Sequence, residues 1–314
     1  MAATHPPIAI VGPTAVGKSA AAESVALALG GEIVSADSMQ VYRGMDIGTA
    51  KTPEAERRVP HHCIDIAEPG SAYSAALFQA DARRAIEDIS DRGLTPVVCG
   101  GTGLYIRAVL DEMTFPEGDL DTPARRRYED RAVDLGPDGL HALLRERDPD
   151  AASAIHPHNV RRVVRALEMA EAGVSYADQA ARFSVRTMHY PGTRYFGLTM
   201  ERRELYDRID RRVDAMIASG LPAEVEALLA AGLRSALTAA QAIGYKELVS
   251  VIDGAEDLAV AVEAIKRGTR RYAKRQLTWF RADPRIVWLD VTGLSPGQTA
   301  TALLGLVEST GHTG

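Results

Sequence analysis

The residues Gly12, Pro13, Thr14, Ala15, Val16, Gly17, Lys18 and Ser19 follow the short apolar run "IAIV" and open an Ala- and Leu-rich stretch that ends at Gly30 and Gly31. The eight match G-x-x-x-x-G-K-[ST] in full, with a strand-like run before them and a helix-like run after. The glycines let main-chain N–H groups turn inward on phosphate oxygens, and the following helix N-terminus adds its dipole. Lys18 can reach terminal phosphates and Ser19 can bind Mg²⁺. The loop therefore fixes an α/β arrangement and a phosphate-bearing ligand. It does not fix a nucleotide. A nucleotide-hydrolysing protein of this type usually has an apolar strand ending in Asp for the metal, whereas the later run "PVVCGGTG" ends in Gly100, Gly101, Thr102 and Gly103. Those glycines predict a close backbone approach, and Thr102 is either a hydroxyl donor at the site or a turn residue.

The rest of the chain alternates in the same sense. "EIVSAD" (32–37), "CIDI" (63–66) and "TPVVCG" (95–100) read as strands, and 73–93 reads as a helix with Ala76, Phe78, Ala82, Ile86 and Ile89 on one face. Continuous apolar strands alternating with helices predict a parallel sheet. From 114 to 193 no strand pattern is evident, and 122–136, 137–148 and 158–173 read as helices. Strand patterns return at 195–200 and 285–290, with helices over 201–220, 222–232 and 257–281 between them. The expected organisation is an α/β core formed by 1–113 and 194–314, interrupted by a mainly helical insertion over 114–193. The tail after Gly293 is expected to be helical and peripheral.

The 314 residues are 46% hydrophobic and 25% charged, the composition of an ordinary globular chain. No apolar run approaches a membrane span, and the N-terminal residues show no secretory pattern. Two distant cysteines, Cys63 and Cys99, form no disulfide framework and suit a reducing cytoplasmic setting. The net charge of −6 argues against wholesale nucleic-acid binding, but the positive charge is concentrated: 264–281 holds seven Lys/Arg and no Asp or Glu, and "ARRR" (124–127) and "RRVVR" (161–165) add two clusters. Such stripes are solvated helix faces or a surface for a polyanion, and counterion release depends on the local face.

Asp37 lies just past the second strand, on the edge where parallel sheets bind ligands. It suits a general base, a metal ligand or a cap for the following turn. His61, His62, Cys63 and Asp65 invite a metal reading, but successive strand residues point to opposite faces, so edge-of-core roles are expected.

Taken together, "GPTAVGKS", "ADSMQVYRGMDIGTAK", "HHCIDI", "GGTGLY", "RRVVRALE", "LYDRIDRRVDAMIASGL", "QAIGYKE" and "RRYAKRQLTWFR" resemble the bacterial tRNA dimethylallyltransferase (tRNA isopentenyltransferase) family, from about Ile8 to Arg281 and in the same order. The resemblance implies a P-loop kinase-like core and a helical insertion that grips the anticodon arm. It implies transfer of a dimethylallyl group from dimethylallyl diphosphate to N6 of the adenine 3′-adjacent to the anticodon, with Mg²⁺ and release of diphosphate. By the same resemblance Asp37 is the base, Gly12 to Ser19 with Mg²⁺ on Ser19 hold the diphosphate, and Arg212 assists, with Arg208 and Arg211 as neighbours in the running. Thr102 would bond near the bridging oxygen or the reacting amine. Asp37, Ser38, Met39, Gln40 and Thr102 would hold the flipped base. Arg126, Arg161, Arg162 and Arg165 would take stem phosphates, and Gly244, Tyr245 and Lys246 neighbouring nucleotides. Tyr245, Tyr272 or Trp279 would stack, while Phe280 is expected in the core. No zinc-finger spacing follows Arg281. The rivals are an adenylate isopentenyltransferase, a small-molecule kinase and an ATP-dependent RNA-binding module. The basic clusters favour tRNA, and a monomer is the default.

Overall fold

A computed structural model describes residues 5–115, 122–236 and 238–311. In chain order the elements are β1 (Ile8–Val11), α1 (Lys18–Ala28), β2 (Gly31–Ser35), β3 (His61–His62), α2 (Ala75–Asp91), β4 (Thr95–Gly100), α3 (Gly103–Leu110), α4 (Pro123–Arg147), α5 (Pro149–Ala154), α6 (Val160–Glu171), α7 (Tyr176–Ser184), β5 (Arg194–Thr199), α8 (Arg202–Ala218), α9 (Leu221–Ala230), α10 (Tyr245–Ile252), α11 (Leu258–Arg281), β6 (Ile286–Asp290) and α12 (Pro296–Gly311). The chain divides into two compact units, one formed by 1–111 with 188–314 and the other by 112–187.

The first unit is built on a six-stranded sheet in the order β3-β2-β4-β1-β5-β6, with every pair parallel. Strand alternation divides the core between its two faces. Ala9 and Val11 of β1 join Phe78, Ala82 and Ile86 of α2 and Leu248 of α10. Ile8 and Ile10 of the same strand join Val25 of α1, Ile209 of α8 and Leu303 of α12. Both faces are thus covered, as an all-parallel sheet requires. The C-terminal strand ends collect the loops after β1, β2 and β4, the edge where open α/β sheets take ligands.

The second unit has its own core, in which Tyr128, Leu140 and Leu144 of α4 pack with Ala151 of α5 and Val163, Val164 and Leu167 of α6. Its described residues form no strand. The two helices expected over 122–148 run on as α4 with a break at Gly136, whose φ of 66° and ψ of 175° leave the helical region.

Two expectations are corrected. "CIDI" is not a strand: pairing stops at His62, and Cys63 and Asp65 take positive φ of 61° and 56°. The segment turns because the Asp65 N–H donates to Gln40 O and Lys51 Nζ to Asp65 Oδ1. The tail is not peripheral, since α12 buries Leu303 and Val307 in the core cluster shared with α1. Among the described residues no helix is long and apolar enough to cross a membrane.

Candidate active site

The loop after β1 has the geometry its glycines predict. Gly17 (φ 97°) and the non-glycine Ala15 (φ 65°) sit in the left-handed region, a conformation that strains Ala15 and belongs to anion-cradling turns. A cavity of about 240 Å³ opens beside it, lined by Thr14, Ala15, Gly17, Lys18 and Ser19 and closed by Asp37, Arg212 and Tyr272. Gly12, Pro13 and Val16 lie buried behind this wall. Lys18 Nζ donates to Pro13 O at 2.6 Å. Burial lowers its pKa to about 8, against the opposing fields of Cys99 and Asp37.

A second cavity of about 270 Å³ shares Thr14, Asp37, Thr49, Arg212 and Tyr272 with the first. Its remaining wall sets Met39, Ile209, Val213, Met216, Leu221 and Ile243 against the polar Ser38, Gln241, Thr269 and Arg275, so it is more apolar than the first. Asp37 therefore stands where the space beside the phosphate loop meets a more apolar one. Its Oδ1 accepts the Met39 N–H at 2.9 Å, and Oδ2 has no protein partner among the described residues.

One arginine of the 208–212 group enters the site. Arg208 pairs with Glu204 at 2.8 Å, and Arg211 donates to Asp207 O on the exposed side of α8. Arg212 lines both cavities, and among the described residues its one hydrogen bond is a long 3.5 Å contact to Thr49 O. Burial pushes its pKa down and Asp37 pulls it up.

Thr102 lines neither cavity. It precedes α3, its Oγ1 accepts the Ser38 N–H at 3.0 Å and approaches Ser38 Oγ at 3.3 Å, so it holds the turn carrying Asp37, and it lies beside Tyr272, which lines both cavities. A Cβ at Gly100 would overlap Ala36 O, at Gly101 the Gln276 amide, and at Gly103 the Trp279 ring, while Gly100 and Gly101 also line the first cavity. Gln40 is also engaged, accepting from Ser35 Oγ and donating to Thr49 O. Tyr245 is fully buried and donates to Glu224 Oε1 at 2.6 Å. Its ring packs on Gly48, so it is not free to stack on a nucleotide. Lys246 is exposed beside Glu247, and Phe280 is in the core.

These distances describe a site for an anionic group next to an apolar pocket, with a carboxylate between them. The family described as "IPP transferase" matches residues 40–283, and that described as "Isopentenyl transferase" matches residues 7–59. The tRNA dimethylallyltransferase of Carboxydothermus hydrogenoformans is 52% identical over 287 residues, covering 90% of this chain and 91% of that one. That of Bacillus subtilis is 47% identical over 289 residues, covering 92% and 91%. The chain belongs to the tRNA dimethylallyltransferase family. Among solved structures, the tRNA isopentenylpyrophosphate transferase of Bacillus halodurans superposes with a TM-score of 0.72 at 43% identity, covering 98% of this chain and 96% of that one. A eukaryotic dimethylallyltransferase acting on tRNA superposes at 0.79 and 30% identity, covering 98% and 79%.

Membership of the family directs attention to the basic clusters. In the second unit Arg126, Arg161 and Arg162 are exposed, while Arg165 leans on Glu168 at 3.5 Å. In the first unit the α11 stripe is less free than its sequence suggests. Lys266 pairs with Asp214 and Arg270 with Asp210, both on α8. Arg267, Arg271, Lys274, Arg275 and Arg281 remain exposed, and Trp279 is 43% exposed.

Sequence reasoning missed three side chains that hold the site together. Glu224 accepts the N–H groups of Asp46, Ile47 and Gly48. Lys51 donates to Tyr42 O, Asp46 and Asp65. Gln276 bridges two loops. Nothing local in the sequence marks Glu224 or Gln276, whose main-chain partners are more than 170 residues away. The DIGTAK and HHCIDI blocks, by contrast, are the two ends of the Lys51–Asp65 contact.

Proposed function

We propose that the chain transfers a dimethylallyl group from dimethylallyl diphosphate to N6 of the adenine 3′-adjacent to the anticodon in tRNA, giving N6-isopentenyladenine and diphosphate. The observation that carries this reading is the position of Asp37 on the wall shared by the phosphate-loop cavity and its apolar neighbour. The diphosphate belongs beside Lys18 and the loop amides, and the adenine, extruded from the anticodon loop, in the second cavity. Base extrusion costs only a few kcal/mol in a single-stranded loop.

The exocyclic amine of adenine is a weak nucleophile because its lone pair is delocalised into the ring. As N6 bonds to C1 and the C1–O bond breaks, one amine proton must leave. Asp37 Oδ2, free of protein partners, takes it. The bond electrons pass to the departing diphosphate, whose growing charge meets the loop amides, Lys18 and Arg212. The Ser19 hydroxyl at the first turn of α1 makes no protein hydrogen bond among the described residues and lines the same cavity. A hard oxygen donor of this kind, with the diphosphate oxygens and water, suits Mg²⁺. Bound there, the ion would neutralise the leaving group. Thr102 acts one step back, through the turn that carries Asp37. In the second unit the exposed Arg126, Arg161 and Arg162 suit tRNA phosphates, and so, within the first unit, do Arg267 and Arg271. A tRNA substrate implies the cytoplasm, and one chain supplies every residue named.

The test is incubation with Mg²⁺, labelled dimethylallyl diphosphate and either tRNA or AMP. Label in tRNA supports the reading. Label only in AMP replaces it with an adenylate-directed enzyme.

A further inference from the structure

Gln276 is 5% exposed, on the face of α11 that also presents Thr269 and Tyr272 to the cavities. Its Oε1 accepts the Thr14 N–H at 2.9 Å and its Nε2 donates to Gly101 O at 2.8 Å. An amide oxygen only accepts and an amide nitrogen only donates, so the two partners fix the orientation of the side chain. Both partners are main-chain groups. One belongs to the phosphate loop after β1, the other to the turn after β4, the neighbouring strand. That turn leads directly into Thr102, whose hydroxyl holds Ser38 beside Asp37. A Cβ at Gly101 would overlap Nε2, so a glycine there is what lets the amide in.

The bridge has a chemical consequence. A loop of this kind turns its N–H groups on phosphate oxygens, yet the Thr14 N–H is committed to the protein. The diphosphate is left to the remaining amides and Lys18, and the shape of the loop is set by a side chain from a helix more than 250 residues away. We propose that Gln276 is a positioning residue for the transfer reaction: by joining the phosphate loop to the Gly101 turn it holds the diphosphate cradle and the Asp37 turn in register. This rests on the reading of the preceding section, in which the loop holds the leaving diphosphate.

Gln276→Met keeps the volume and removes both hydrogen bonds. Its KM for dimethylallyl diphosphate and its Kd for inorganic diphosphate with Mg²⁺ should rise roughly tenfold to a hundredfold, the scale set by leaving buried polar groups unpaired. Its Kd for tRNA should stay within about twofold. Gly101→Ala, which expels the amide, should show the same pattern and decides the matter if Gln276→Met does not fold. The Gly101→Ala/Gln276→Ala double variant should be no worse than Gln276→Ala alone, because the added methyl then has room. Such non-additivity is the signature of a direct contact. Unchanged KM and diphosphate Kd in both single variants would mean a merely structural role and overturn the proposal, as would an additive double variant. A wild-type chain that binds no diphosphate overturns the preceding reading and this inference with it.

Discussion

The two ends of the sheet treat buried charge in opposite ways. At the N-terminal end, Glu32 of β2 meets Arg92 through two hydrogen bonds of 2.6 and 2.8 Å and His62 through one of 2.7 Å. The Arg92 contact above all, working against burial, brings the Glu32 pKa down to about 2. At the C-terminal end, Lys18 and Arg212 have no carboxylate within ion-pair distance among the described residues, and burial depresses both. Lys51, close by, shows that the fold pairs a cation there when it serves the structure: it meets Asp46 at 2.8 Å and Asp65 at 2.5 Å. Charges that the protein completes hold the fold. Charges left uncompleted are a standing cost, one that the proposed diphosphate, a polyanion, would offset.

Variants can break this contrast. The largest effect is expected at Asp37. Asp37→Asn keeps the shape and removes the base, so single-turnover transfer should slow by about 10²–10⁴, with tRNA affinity retained in a filter-binding assay. Lys18→Ala and Arg212→Ala should each lower kcat/KM by roughly 10²–10³, yet leave Tm in the absence of ligand unchanged or higher, because each removes an uncompensated cation. Glu32→Gln should do the reverse, lowering Tm by a few degrees with kcat/KM intact. Its folded pKa lies below the unfolded value of 4.5, so Glu32 stabilises the fold above that value and loses the contribution as pH falls toward 2. The acid limb of a Tm–pH curve should flatten in the variant. The smallest effect is expected at Arg161 and Arg162: replacing either by Gln should weaken tRNA binding modestly and reduce the slope of log K against log salt by about 1.

The legible part of the fold was the part written in local pattern. β1, the phosphate loop and α1 follow from an apolar run, glycine spacing and helix propensity. The helical character of 123–171 follows from the absence of period-two alternation. What escaped the sequence rests on long-range pairing. "CIDI" has strand composition, but Lys51 draws Asp65 into a turn. The glycines at 100–103 announce a close approach without saying to what, and the partners prove to be Ala36, Gln276 and Trp279. Helical spacing alone does not choose among Arg208, Arg211 and Arg212. Packing does, because Ile209, Arg212, Val213 and Met216 share the face of α8 that lines the second cavity. Tyr245 looked like a stacking platform because aromatic residues near basic ones often are, but Glu224 and Gly48 claim it.

The claim that the uncompleted cations await a diphosphate is tested most directly by calorimetric titration of dimethylallyl diphosphate with Mg²⁺ at pH 7 and pH 9. With a Lys18 pKa of about 8, the lysine is charged at the lower pH and largely neutral at the higher. Binding should be roughly tenfold weaker at pH 9, with proton uptake visible as a buffer-dependent enthalpy, and Lys18→Ala should abolish both effects. Equal affinity at the two pH values with no proton uptake, or affinity unaltered in Lys18→Ala, would contradict the account.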